Sequence, residues 1–244
     1  IGAKGFSGPG YKGHSFWDTE IFMLPYFIFS SPKEARSLLE HRYNSLEAAQ
    51  KNAAKNGYKG AMYPWESAWI TDGEVTPEWA LTGLMEHHIT ADVAFGVYSY
   101  YTVSGDLEFM ERYGYKMIFE TAKFWISRLE YNEELDRYEI NHVIGPDEYK
   151  EDVNNNAYTN YMAHLNIMLA VQYAESLRTN KPYAFEAFDQ DGSLSHILSE
   201  GHAKAEKIYL PRENADGLVP EDDTFLTLRD IADKDYSLSE RIEE

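Results

Sequence analysis

Two carboxylates, Asp147 and Glu148, follow Gly145-Pro146 inside the stretch RYEINHVIGPDEYKEDVNNNAYTNY, which runs from Arg137 to Tyr161. A carboxyl group that donates a proton in catalysis needs a fixed backbone, a partly apolar wall that raises its pKa, and open space for a leaving group. The flanking residues can supply the mounting. Tyr138, Ile140, Val143 and Ile144 read as a short extended segment, and Gly-Pro breaks it, so the acidic pair sits at a chain reversal. Beyond it Tyr161, Leu165, Met168, Leu169 and Tyr173 share one face of a helix that begins near Ala157, with Asn154 to Asn156 as its cap. Ile144 and Tyr149 are the candidates for the apolar wall. Pro-Asp-Glu is also an ordinary type I turn ending in solvated charge, so the pair alone does not decide.

Three further groups could do chemistry. Trp17 and Asp18, in GHSFWDTE, fit a helix start with Asp18 as cap and Trp17 as packing. They also fit a sugar site, where an aromatic plate meets the C–H face and a carboxylate accepts from two hydroxyls. Trp65 and Glu66 lie in the connection from Tyr58 to Thr82, which has no clear period, and connections of that length usually carry function. Trp65 plugs the core or meets a sugar, and Glu66 is solvated or binds hydroxyls. His87 and His88 are adjacent, which points them in different directions on a helix, and no third ligand stands at metal spacing. His88 could donate to a hydroxyl or phosphate at the mouth of the helix that follows it.

The elements that must hold these residues are helices. Ser31-Pro32 opens one that Ala35, Leu38, Leu39, Tyr43, Leu46 and Ala49 continue until Asn56-Gly57. Ile89, Val93, Val97, Tyr100 and Tyr101 form the stripe of another, ending at Ser104-Gly105, and Leu107 to Leu129 forms a third after an Asp106 cap. The stretch from Tyr158 to Leu177 is the fourth. From Asn180 to Ser199 the pattern weakens, His202 to Tyr209 reads as helix, and Leu210 to Tyr236 is irregular. Long helices whose loops carry aromatics and carboxylates to one end describe an all-α domain of the α/α barrel kind.

Composition narrows the partners. The chain has 244 residues, 43% of them hydrophobic, with no cysteine and 41 acidic against 22 basic side chains. A formal charge of −19 argues against nucleic acid or an anionic membrane as partner and favours a neutral substrate. Absence of cysteine rules out a disulfide framework and suits a reducing cytoplasm. The most apolar run, Ile21 to Phe29, is too short to span a membrane and carries Pro25. Ile1 to Lys12 reads as a loop rich in glycine (Gly2, Gly5, Gly8, Gly10, with Pro9), and Ser239 to Glu244 as a charged helical fragment. The beginning and end are abrupt, so the chain is expected to be the middle of something longer.

VIGPDEY followed by NNNAYTNYMA, and GYKGHSFWDTEIFMLP near the start, resemble segments of glycoside hydrolase family 65, the maltose, trehalose and kojibiose phosphorylases. The resemblance is strong from Ile1 to about Leu177. It implies that Glu148 is the general acid, that Trp17 and Asp18 line the pocket of the transferred glucosyl unit, and that the loop of Trp65 and Glu66 faces the acceptor sugar. Tyr-Pro-Trp-Glu in that loop looks more like kojibiose than maltose phosphorylases. The implied fold is an (α/α)6 toroid, of which residues 1–244 would form one partial catalytic domain, cut at both ends and expected to show poor solubility or no activity in isolation. The implied reaction is inverting displacement of an α-glucoside by inorganic phosphate, with no cofactor, in an enzyme that is a homodimer. Phosphate needs no general base, unlike the water of an inverting hydrolase. The Lys-Gln pair that helps bind phosphate in the family is absent from this chain, so a hydrolase of the same family and an inactive carbohydrate-binding fragment stand as alternatives.

Overall fold

The 3.6-residue patterns fold as helices, in chain order, in a computed structural model that describes residues 4, 8, 10, 11 and 13–228. The readings at Gly2, Gly5 and Pro9 and at 239–244 lie outside the described residues. A π-helical turn, Thr19–Met23, runs into α1 (Leu24–Ser30), followed by α2 (Pro32–Asn44) and α3 (Leu46–Lys55). One helix was expected across the last two. Ser45 interrupts it, its hydroxyl donating back to Arg42 O at 2.9 Å, a local bond that competes with helix continuation.

After the long connection come α4 (Thr82–Met85) and α5 (Ile89–Ser104). Gly105 ends α5 in the left-handed region at φ 65°, as its sequence predicts. Asp106 caps α6 (Leu107–Phe109) by accepting from Phe109 N at 3.0 Å, and a π-helical turn, Met110–Gly114, leads into α7 (Tyr115–Arg128). The extended segment is β2 (Arg137–Glu139), paired antiparallel with β1 (Glu130–Asn132), with Tyr131 opposite Tyr138.

Asn156 caps α8 (Ala157–Asn180), its Oδ1 accepting from Thr159 N at 3.0 Å. Next come α9 (Pro182–Phe188), α10 (Ser193–His196), a π-helical turn at Ile197–Gly201 and α11 (His202–Ala205). The stretch from 182 to 199, where the sequence pattern weakened, is therefore largely helical. α9 and the π-helical turn lean on α8, and packing replaces the missing period.

The core lies where α5, α7 and α8 pack together, with α2 against α1 and α5. Trp125, Phe124, Met117 and Ile118 of α7, Val93 and Val97 of α5, and Ile167 and Ala170 of α8 are fully buried. Each large side chain there contributes about 1.5–3 kcal/mol by leaving water. No helix among the described residues is long and apolar enough to cross a membrane. The expected all-α architecture holds, and packed helices send their connecting loops to a shared rim, where the N-terminal ends of α5 and α8 meet the Trp17 segment. Every residue singled out for chemistry except His87 belongs to those loops or helix mouths.

Candidate active site

The acidic turn is closed by main-chain bonds at its base. Val143 N donates to Val153 O at 2.9 Å and Val153 N to Val143 O at 2.8 Å, so residues 144–152 form a loop on a two-residue stem. Ile144 N reaches Met85 O at 3.1 Å, fixing this loop to the segment before α5. Gly145 must be glycine. A Cβ there would stand 2.1 Å from Asn156 Nδ2, so the same asparagine that caps α8 passes directly over the backbone that leads to Asp147 and Glu148. The wall expected from Tyr149 is not there, since that ring is 99% exposed; Ile144 is buried in the core instead.

A second set of bonds holds the Trp65 loop. Ser15 and Ser67 exchange both main-chain bonds, at 2.8 and 3.1 Å, tying this loop to the segment that carries Trp17 and Asp18. The half-buried Glu74 carboxylate accepts from Trp65 N (2.6 Å), Glu66 N (3.1 Å), Thr76 N (3.0 Å) and Thr76 Oγ1 (2.6 Å). Burial raises its pKa and those four donors oppose the shift. Glu74 thus acts as the core of the turn that aims Trp65.

Behind these loops lies a buried relay of side chains. His88 Nδ1 is 2.7 Å from Asp92 Oδ2, its Nε2 is 2.9 Å from Glu86 Oε1, and the Tyr158 hydroxyl donates to Asp92 Oδ1 at 2.9 Å. His88, Glu86 and Asp92 have no side-chain exposure. Carboxylates accept, so a ring flanked by two of them donates from both nitrogens and is an imidazolium. Burial opposes that charge, but the fields and hydrogen bonds of Asp92 and Glu86 prevail and push His88 up to about 9. Burial also raises Glu86 to about 7, against the pull of His88. The edge of this cation meets aromatic rings, with Trp17 at 4.8 Å and Tyr158 at 5.1 Å between centroids.

Glu148 faces this relay. Its pKa is raised, first by partial burial and further by the carboxylates of Asp18 and Asp147, while the His88 charge and the Trp65 indole N–H pull it down. Apart from the Trp65 N–H, no donor among the described residues acts on the Glu148 carboxylate, and none bonds that of Asp18. The sequence-predicted residues Trp17, Asp18, Trp65, His88 and Glu148 therefore converge. Glu66 sits apart in chemistry: its Oε1 is 2.7 Å from His14 Nδ1, and only 11% of its side chain is exposed. Trp65 packs edge-on against Phe16 at 5.1 Å, so its ring is part of the wall and its N–H points to the acids. Sequence reading missed Glu86, Asp92, Tyr158 and Glu74. Only the His88–Asp92 spacing of four, neighbours on a helix, signalled any of them.

Loops at one rim of packed helices, bringing a carboxyl beside an aromatic ring and a buried histidine–carboxylate relay, define an α-helical domain with a candidate active site. The model of the glycosyl hydrolase family 65 central catalytic domain matches residues 1–243, and the chain belongs to that family. A kojibiose phosphorylase of Caldanaerobacter subterraneus subsp. tengcongensis is 52% identical over 241 residues, covering 94% of this chain and 31% of its own. One from Thermoanaerobacter brockii is 50% identical over 246 residues, covering 96% and 32%. A solved structure of a candidate kojibiose phosphorylase from the human microbiome superposes with a TM-score of 0.86 at 29% identity, over 98% of this chain and 35% of that one. This chain thus spans about a third of the length of the relatives it matches.

Proposed function

We propose that this domain serves an inverting α-glucoside phosphorylase with kojibiose, an α-1,2-linked disaccharide, as its substrate class. Glu148 is the general acid that protonates the glycosidic oxygen, and inorganic phosphate attacks the anomeric carbon from the opposite face to give β-glucose 1-phosphate. The observation that carries this reading is the state of Glu148: a part-exposed carboxyl that only the Trp65 N–H approaches as a donor among the described residues, on a turn pinned at both ends, with its pKa raised by partial burial and by Asp18 and Asp147. Those causes keep it protonated to higher pH than a free glutamate, as an acid requires.

Trp17 stacks on the C–H face of the glucosyl ring, and Asp18 accepts from its hydroxyls. His88 does not touch sugar in this scheme. Both of its nitrogens are engaged by carboxylates that offset its charge, so its part is to hold Glu86 and Asp92 in place behind the acid. No cofactor takes part. The test is phosphate dependence in the whole enzyme. Kojibiose should yield β-glucose 1-phosphate in proportion to phosphate consumed, and equal cleavage without phosphate would contradict phosphorolysis in favour of hydrolysis.

A further inference from the structure

Among the described residues two polar atoms in the site, Glu86 Oε2 and Trp65 Nε1, are buried without a hydrogen bond of ordinary geometry. The rest of Glu86 is fixed. Its Oε1 is held by His88 Nε2, His88 by Asp92, and Asp92 by the Tyr158 hydroxyl, so the carboxylate cannot turn away without breaking a buried contact. Trp65 is fixed as well, by the Glu74 carboxylate at its main-chain N and by Phe16 at its ring. Leaving a buried polar atom unpaired costs on the order of 1–3 kcal/mol, so a rigid pair of such atoms at one place is the mark of a missing ligand group.

The chemistry of that group follows. The indole N–H only donates, and the carboxylate oxygen accepts. The indole N–H lies near enough to Glu86 and Glu148 to lower the pKa of both, yet meets neither at bonding geometry. A single hydroxyl accepts one bond and donates another, so it satisfies both atoms at once. We propose that Glu86 Oε2 and Trp65 Nε1 together bind one sugar hydroxyl beside the scissile bond, making Glu86 a specificity-determining residue that His88, Asp92 and Tyr158 hold in position. The inference rests on the reading of Glu148 as the acid of an α-glucoside site.

The experiment compares whole enzyme, wild type and Glu86→Met, on a series of disaccharides each lacking one hydroxyl on either ring. Wild type should lose roughly 10–100-fold in kcat/KM on the analogue lacking the bound hydroxyl, the range expected for a bond to a charged group. Glu86→Met should be weakened on the parent sugar by a similar factor and should no longer distinguish it from that one analogue, while discrimination at every other position persists. Glu86→Gln keeps the shape and the bond to His88; it should fold as wild type does and show the same loss of discrimination in smaller measure. Unaltered discrimination at all positions in both variants would overturn the proposal and leave Glu86 a purely structural group. Calorimetric binding of the deoxy series reports on Glu86 without turnover, whereas phosphate consumption by wild type reports on the parent reading, so the two can fail separately.

Discussion

Two buried ion networks stand side by side beneath the same rim, and they differ in one respect. Arg42 and Glu20 are paired at both oxygens, through Nε and Nη2 at 2.7 Å each, and the spare capacity of Nη2 is taken by Phe16 O at 2.9 Å. Both Glu20 oxygens are thereby bonded. In the second network, Glu86, His88 and Asp92 are equally buried, but among the described residues Glu86 Oε2 has no partner of ordinary geometry, and the carboxylate of Glu148 stands nearby. Complete satisfaction marks a network that holds the fold, and incomplete satisfaction marks one that faces a ligand. The first anchors the π-helical turn after Trp17 to α2; the second sets the field at the acid.

The contrast breaks most sharply through activity. Glu148→Gln should lower kcat by on the order of 10²–10⁴ with little change in KM, because the amide keeps the shape, and with unfolding unaffected. Asp147→Asn, on the same turn but projecting elsewhere, should stay within a few-fold of wild type. Steady-state kinetics on both variants checks this.

The opposite result is expected from the satisfied network. Glu20→Ala strands the Arg42 charge in the core and should cost about 3–5 kcal/mol of stability, measured by denaturant unfolding, while the folded fraction keeps its sugar affinity.

How much of this was legible follows from the range of each interaction. Local signals held: the Asp106 cap, the Gly105 stop, the Asn156 cap and the turn that presents Glu148 all rest on residues within a few positions of one another. Trp17, Asp18, Trp65, His88 and Glu148 were found from residue type and from resemblance, and they do gather. The bond of Glu66 to His14 was invisible because it joins residues 52 apart, and nothing local distinguishes a solvated glutamate from a tethered one. Glu86 escaped notice because it precedes the helix with an extended backbone, ψ 88°, outside the helical spacing that would have linked it to His88. β1 carries no apolar alternation, so only its pairing with β2 reveals it.

Smaller perturbations sharpen the comparison at the joint between fold and site. Gly145→Ala forces a methyl group onto Asn156 Nδ2 and should destabilise by about 1–3 kcal/mol, with a larger fractional loss of activity than of folded protein because the turn moves. Calorimetric melting beside kcat separates the two. Asn156→Ala removes only the cap of α8 and should cost about 1 kcal/mol.

Trp65→Phe should have the smallest effect on stability but a readable one on pH. The indole N–H lowers the pKa of Glu148, so its removal raises that pKa, and the acid stays protonated to higher pH. Activity that needs the protonated form is lost as pH rises through the acid's pKa, so the alkaline limb of the kcat/KM profile should move upward. A limb that moves downward would show that Trp65 does not act on the acid.

The most direct test of Glu148 as proton donor uses a substrate that needs no proton. α-Glucosyl fluoride presents the same glucosyl unit with a leaving group that departs unaided, so the amide in Glu148→Gln should cost little on it. The account predicts a loss on the order of 10²–10⁴ on the natural disaccharide and recovery to within about tenfold of wild type on the fluoride. Equal loss on both substrates, or leaving-group rescue in Asp147→Asn instead, would contradict it.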